Sequence, residues 1–192
     1  MELITTVINN LIMYLEGVGI IGGFILVLLE SIFPIMPLAL FIGMNILAFG
    51  NVTGFLISYV GTIFGCMLSF VLFSFLQSFL YKILNKKTKE KLDKLMNKMK
   101  DIDFNALVII HAMPFTPAFL TNIAAGLSGM KKRKYLVSLF IGKIAIVYFW
   151  GYVGKNFLSS IKDPVVLIKI FLLVIGAYLI SKIVEKIIKV EE

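Results

Sequence analysis

Residues 104–134, FNALVIIHAMPFTPAFLTNIAAGLSGMKKRK, decide the architecture. Residues 104–130 are apolar, broken by His111, Pro114, Thr116, Pro117, Thr121 and Asn122, and Lys131, Lys132, Arg133 and Lys134 follow at once. The preceding stretch, KILNKKTKEKLDKLMNKMKDID (82–103), holds eight lysines. Basic residues flanking apolar segments stay on the cytoplasmic face. If 104–130 crossed a bilayer, one basic cluster would lie outside. If it enters and returns, both stay inside. Prolines at 114 and 117 interrupt helical hydrogen bonding and supply the turn. The pattern therefore predicts a re-entrant hairpin rather than a span.

The rest of the chain is strongly apolar. It has 192 residues, 59% of them hydrophobic, with a mean hydropathy of +0.97. Residues 31–81 contain no Asp, Glu, Lys, Arg or His, a run far longer than the roughly 20 apolar residues that cross a bilayer. An integral membrane protein with a single membrane domain follows. The formal charge is +8, and all 19 Lys and Arg residues lie from Lys82 onward. Their place beside apolar spans marks topology and argues against nucleic-acid binding. Cys66 is the sole cysteine, so neither an internal disulfide nor a cysteine metal cluster is expected. No basic n-region or small-residue cleavage motif opens the chain, so no cleavable signal peptide is expected.

Outward from the decisive segment, residues 1–16 read as an N-terminal interfacial helix and 17–81 as a first repeat. Residues 82–103 form a basic amphipathic linker, with Leu92, Leu95, Met96, Met99 and Ile102 at helical spacing; it suits a membrane surface. Residues 104–157 form a second repeat and 164–184 a C-terminal transmembrane helix. Residues 52–81, 135–154 and 164–181 are the spans, and Pro164 sits in a first turn, where its missing N–H costs least. Tyr148, Trp150 and Tyr152 suggest an interfacial aromatic belt.

The two halves are related. Pro34 and Pro37 lie 80 positions before Pro114 and Pro117. Ser58 precedes Ser138 by the same offset, and Gly61 precedes Gly142 by 81. Each half is then a broken hairpin followed by a span, one entering from outside and one from inside. The expected fold is an all-α inverted repeat of two re-entrant hairpins plus a C-terminal helix, N-terminus outside and C-terminus cytoplasmic. Interrupted segments in such repeats meet near the midplane and form the substrate site.

Glu30, four residues before Pro34, is a carboxylate inside an apolar run and a functional candidate by its cost alone. His111 is the only histidine and matches it in the second hairpin, so a Glu30–His111 ion pair or proton relay is expected, with protons as a partner. Asn122, Thr116 and Thr121 add uncharged hydrogen-bonding groups beside Pro114 and Pro117. Gly43, Gly61, Gly65, Gly126 and Gly142 read as close-packing glycines. Lys131, Lys132, Arg133 and Lys134 would face lipid phosphates. No nucleotide loop, metal cluster or nucleophile triad appears, so no metal, no cofactor and no enzymatic activity are expected.

Glu30-Ser-Ile-Phe-Pro34-Ile-Met-Pro37 with Gly43 and Gly61-x-x-x-Gly65, then His111-Ala-Met-Pro114-Phe-Thr-Pro117 with Asn122 and Gly126, resembles the DedA superfamily. That superfamily includes the SNARE-associated Golgi, or VTT-domain, proteins, and the spacing is closest to the Tvp-like branch. The resemblance covers roughly residues 17–157. It implies a flippase or scramblase of phospholipids or polyprenyl phosphates in a bacterial-type plasma membrane, with membrane lipids as partners. It also implies an acidic role for Glu30. His111, Ala39 and Pro117 stand where relatives carry an arginine, a second acid and a second arginine. A proton-coupled small-solute transporter and a non-transporting scaffold recruiting partners through the amphipathic helix remain the alternatives. The topology is checked by a tag at Gly50, which should report the outer side; a cytoplasmic report would overturn the outer-entering hairpin.

Overall fold

The computed structural model describes residues 2–34, 37–159 and 163–190. Met1 of the N-terminal segment, and Ile35 and Met36 between the first prolines, lie outside the described residues. Among those described, the chain is all helix with no strand: α1 (Glu2–Ile32), α2 (Leu38–Phe49), α3 (Asn51–Ile83), α4 (Lys86–Asp101), α5 (Phe104–Ala112), α6 (Ala118–Leu127), α7 (Lys132–Ser159) and α8 (Pro164–Val190). Stretches Asn9–Ile32, Asn51–Phe79, Lys132–Leu158 and Pro164–Val184 are long and apolar enough to cross a bilayer. The protein is an all-α membrane protein.

The first of these stretches differs from the three spans that hydropathy alone marks. Residues 2–16, expected as a separate interfacial helix, and the start of the first repeat share one helix, α1. The helix is kinked at Gly19, whose φ of 76° and ψ of −169° lie outside helical space and favour glycine. Beyond the kink, residues 20–32 rise about 20 Å at 1.5 Å per residue. Helices α2, α5 and α6 have 12, 9 and 10 residues, or about 14–18 Å each. None of these pieces reaches across a hydrocarbon core of about 30 Å.

The turns of the two halves are built alike. Phe33 N–H donates to the Leu29 carbonyl at 2.8 Å, and Met113 N–H to the Ile109 carbonyl at 3.0 Å. Each first helix thus closes just before its proline. Pro37 and Pro117 then cap α2 and α6 in extended conformation, φ −62° and −66°. No side chain caps either helix, so their first N–H groups point toward the break.

Close approaches set the directions of the helices. A Cβ on Gly61 would meet the Phe24 carbonyl, and one on Gly65 the Leu28 carbonyl. Both numbers rise together, so α1 and α3 run in the same direction. Gly54 abuts Asn45 and Ile46, and α2 returns antiparallel to α3. Gly142 of α7 meets the backbone of Val108 and Ala112 in α5. Packing across the halves is reciprocal, α2 on α7 and α6 on α3, while within each half α1 lies on α3 and α5 on α7. Gly43 of α2 faces Gly154 of α7, and Gly126 of α6 faces Phe70 and Ser74 of α3.

Polar links tie the ends. Lys155 Nζ donates to Asn51 Oδ1 at 2.8 Å, so α3 begins where α7 finishes. At the opposite end Lys134 Nζ donates to the Ile102 carbonyl. That bond takes Lys134 from the expected phosphate-facing cluster and uses it to hold the α4–α5 junction; Lys131, Lys132 and Arg133 are exposed. Asn85 caps α4 by accepting from Thr88 N–H at 2.9 Å, and Asp103 caps α5 by accepting from Asn105 N–H at 2.7 Å. Met99 and Ile102 pack onto a core of Phe70, Leu107, Tyr135 and Leu139, while Leu95 stays exposed.

Gly154→Val should lower the thermal unfolding midpoint in detergent, at a cost of about 1–3 kcal/mol from overpacking against α2. Gly176→Ala, with nothing within 4 Å of its Cβ position, should leave the midpoint unchanged. Equal midpoints for both variants would show that the α2–α7 contact does not hold the bundle.

Candidate functional site

Both proline pairs open onto one cavity of about 300 Å³. Glu30, Pro34 and Pro37 line it from the first half, and Pro114, Thr116 and Pro117 from the second. Thr62 and Cys66 face it from α3, and Lys143, Ile146 and Trp150 from α7. The Leu38–Ala39 and Ala118–Phe119 turns complete the wall, so the N-termini of α2 and α6 converge on the same space. Thr62, Cys66 and Lys143 sit near the middle of their spans, Asn51–Phe79 and Lys132–Leu158.

Two charged residues are buried here. Glu30 is 7% exposed and Lys143 is 1% exposed. A charge at this depth costs several kcal/mol unless an opposite charge or hydrogen bonds offset it. The structure places an acid and a base on the walls of one small cavity, and a carboxylate beside two helix N-termini is favoured.

Lys143 is the residue that sequence reasoning missed. The span 135–154 is so apolar that one lysine disappears in its average. The signal was present nonetheless: an ionisable residue inside a span marks a site by the rule that singled out Glu30.

His111 does not join Glu30 at the cavity. Its imidazole is 2% exposed and meets the Tyr135 ring edge-on, 5.4 Å between centroids. Neither ring nitrogen has a hydrogen-bond partner among the described residues. The expected Glu30–His111 ion pair is therefore not formed, and helix phase explains why. Glu30 stands four residues before its proline and His111 three, and one residue turns a side chain by about 100°.

Asn122 also lies behind the cavity wall. Its Oδ1 accepts from the Tyr135 hydroxyl at 2.8 Å. That hydroxyl is also 3.2 Å from the Cys66 carbonyl, so α6, α7 and α3 are joined at one point. Asn122 Nδ2 has no partner among the described residues. The first half holds a counterpart: Asn45 Nδ2 donates to Ser58 Oγ at 3.0 Å and to the Gly23 carbonyl at 3.2 Å. In both halves asparagine and partner are 13 residues apart. Ser58 and Ser138 are both fully buried, though Ser138 Oγ donates locally to the Tyr135 carbonyl. Thr121 Oγ1 reaches the Pro117 carbonyl at 3.4 Å.

The aromatic belt is only partly as expected. Tyr148 and Tyr152 are 69% and 49% exposed. Trp150 turns inward instead, lining the cavity and meeting Phe115 edge-on at 5.7 Å.

The model of the VTT domain matches residues 33–156. The chain belongs to the VTT-domain, or DedA, family. The matched range spans both proline pairs and most of α7, while Glu30, on α1, lies just before it. A membrane protein of Bacillus subtilis named YhjE, of uncharacterized role, is 26% identical over 167 residues, covering 86% of this chain and 80% of that protein. Bacillus subtilis YqeD, also uncharacterized, is 26% identical over 144 residues, covering 74% of this chain and 68% of its own length. No solved structure matches.

The charge balance of the cavity is open to a double-variant test. Lys143→Met alone should lower the thermal midpoint, by roughly 2–4 kcal/mol of stability, because Glu30 loses an opposing charge. Glu30→Gln combined with Lys143→Met should recover much of that loss. Strict additivity of the two changes would show that the charges do not sense each other.

Proposed function

We propose that this VTT-domain protein is a lipid translocase, in which two re-entrant hairpins, related as an inverted repeat, form a mid-membrane headgroup site. The single observation that carries the reading is the cavity holding both proline breaks, Glu30 and Lys143. Lys143 supplies a cation for a phosphate. The uncapped N-termini of α2 and α6 add N–H donors and positive dipole ends, as half-helices do at anionic substrates in repeat-built transporters. Glu30 takes the complementary positive group, a headgroup ammonium or a proton. Acyl tails stay in lipid while the headgroup passes between Glu30, Lys143 and the two hairpin tips.

The repeat is supported by matched details rather than by the prolines alone. Pro37 and Pro117 cap corresponding helices, each second hairpin arm packs on the other half's span, and the two asparagine bonds share one spacing. Helices α2, α5 and α6 are too short to span the hydrocarbon alone, which favours hairpins that enter and return. The lysines of α4 and of residues 131–134 then lie on the cytoplasmic side of a plasma membrane, with the C-terminus. No covalent chemistry is required, so the reading is a non-enzymatic one.

The test is headgroup exposure of labelled phospholipid in proteoliposomes. Wild-type protein should accelerate it, and Glu30→Gln and Lys143→Met should each slow it by at least about tenfold, since each removes a charge-assisted contact. Gly176→Ala should have no effect. Proton-driven uptake of a small solute without lipid movement would instead establish the solute-transporter reading, which the buried carboxylate also suits.

A further inference from the structure

A second cavity, of about 620 Å³, adjoins the first. It lies at the basic end of the bundle, between Met99 and Ile102 at the end of α4, Thr121 on α6, and Tyr178 and Lys182 on α8. Thr116 and Pro117 line both cavities, so the two spaces meet at the tip of the second hairpin.

One side chain stands at that meeting. The Phe115 ring is edge-on to Trp150 of the central cavity at 5.7 Å and edge-on to Tyr178 of the lateral cavity at 5.4 Å. Tyr178 is also the ring over which Lys182 Nζ lies, 5.9 Å from the centroid. The cation of the lateral cavity and the residue between the cavities thus share one aromatic neighbour.

The outer wall is lightly held. Helix α8 makes its main packing contact with α7, and Phe171, Leu172, Leu179 and Ile180 are exposed on its surface. In a bilayer those side chains face acyl chains. A cleft beside such a helix is reached from lipid rather than from bulk water.

We propose that the lateral cavity is a docking site for an anionic phospholipid and that Phe115 closes the passage from it to the central cavity. The headgroup phosphate would take Lys182 with the hydroxyl of Ser181. Its tails would lie along the apolar flank that α8 presents. An anion drawn to Lys182 weakens that ammonium's hold on the Tyr178 ring and frees Tyr178 to shift with Phe115. Docking and opening are coupled in this way. The proposal rests on the translocase reading for its purpose, but neither of its tests requires transport.

The chain carries its own reporter. Cys66 is the sole cysteine, is fully buried and lines the central cavity. In lipid nanodiscs, Phe115→Ala should raise the rate at which a small methanethiosulfonate reagent modifies Cys66 by roughly tenfold, through loss of two ring contacts. Phe75→Ala, on the exposed face of α3 and lining neither cavity, should leave that rate unchanged, and matched thermal midpoints exclude general loosening. In detergent, binding of dioctanoyl phosphatidylglycerol should weaken roughly tenfold in Lys182→Gln through loss of a charge-assisted bond, and not in Lys186→Gln. A Cys66 rate unmoved by Phe115→Ala overturns the closure. Wild-type affinity in Lys182→Gln, or displacement of the lipid by inorganic phosphate alone, overturns the lipid site. If both measurements respond as expected while wild-type protein moves no lipid in proteoliposomes, the docking site stands and the translocase reading falls.

Discussion

Hydrocarbon cannot hydrogen-bond a peptide group, so a helix broken at membrane depth must place its freed backbone against protein or water. On the re-entrant reading proposed above, the structure is arranged around that constraint. Two breaks occur, and each would strand carbonyls before its prolines and N–H groups after them. Bringing the breaks together on one cavity lets both sets face the same space inside the protein. The glycine contacts then follow as a requirement: short helices can only bring their tips together if their backbones approach α3 and α7 closely, and Gly43, Gly126, Gly142 and Gly154 permit that approach.

The same constraint accounts for the charges. A cavity already furnished with helix termini is the least costly place in the bundle for a carboxylate and an ammonium. Glu30 and Lys143 stand there from opposite halves, on α1 and on α7. The asparagines lie one layer further out. Asn45 and Asn122 are buried to 1% and 0% exposure, and they fasten the second hairpin arms to the following spans instead of facing the cavity. Buried polar residues therefore divide into those that hold the hairpins and those that a headgroup could meet.

Much of this was legible in the sequence, because prolines and charges act locally. Pro34, Pro37, Pro114 and Pro117 announce the breaks wherever the rest of the chain lies, and the lysines announce the polar end. Asn85 and Asp103 cap α4 and α5, a local signal that the sequence reading did not use. What was hidden depends on rotation about a helix or on tertiary contact. His111 and Glu30 match in position, but the one-residue difference in their distance from the proline sends their side chains to different faces. Lys143 was masked by the apolar average of its own span. Lys134 belongs to a visibly basic cluster, yet its partner is a carbonyl 32 residues away. Trp150 reads as a belt residue until Phe115 is placed beside it.

The central claim is one of depth: the two breaks meet at the bilayer midplane around Glu30 and Lys143. An electron cryomicroscopy map of the protein in lipid nanodiscs measures this directly, because the bilayer density fixes the midplane independently of the chain. The account places Pro34, Pro37, Pro114, Pro117, Glu30 and Lys143 within about one helical turn, roughly 5 Å, of that plane, with α5 and α6 both returning to the basic side. A map in which α5 and α6 continue across the bilayer, or in which Lys143 faces lipid away from Glu30, would contradict it.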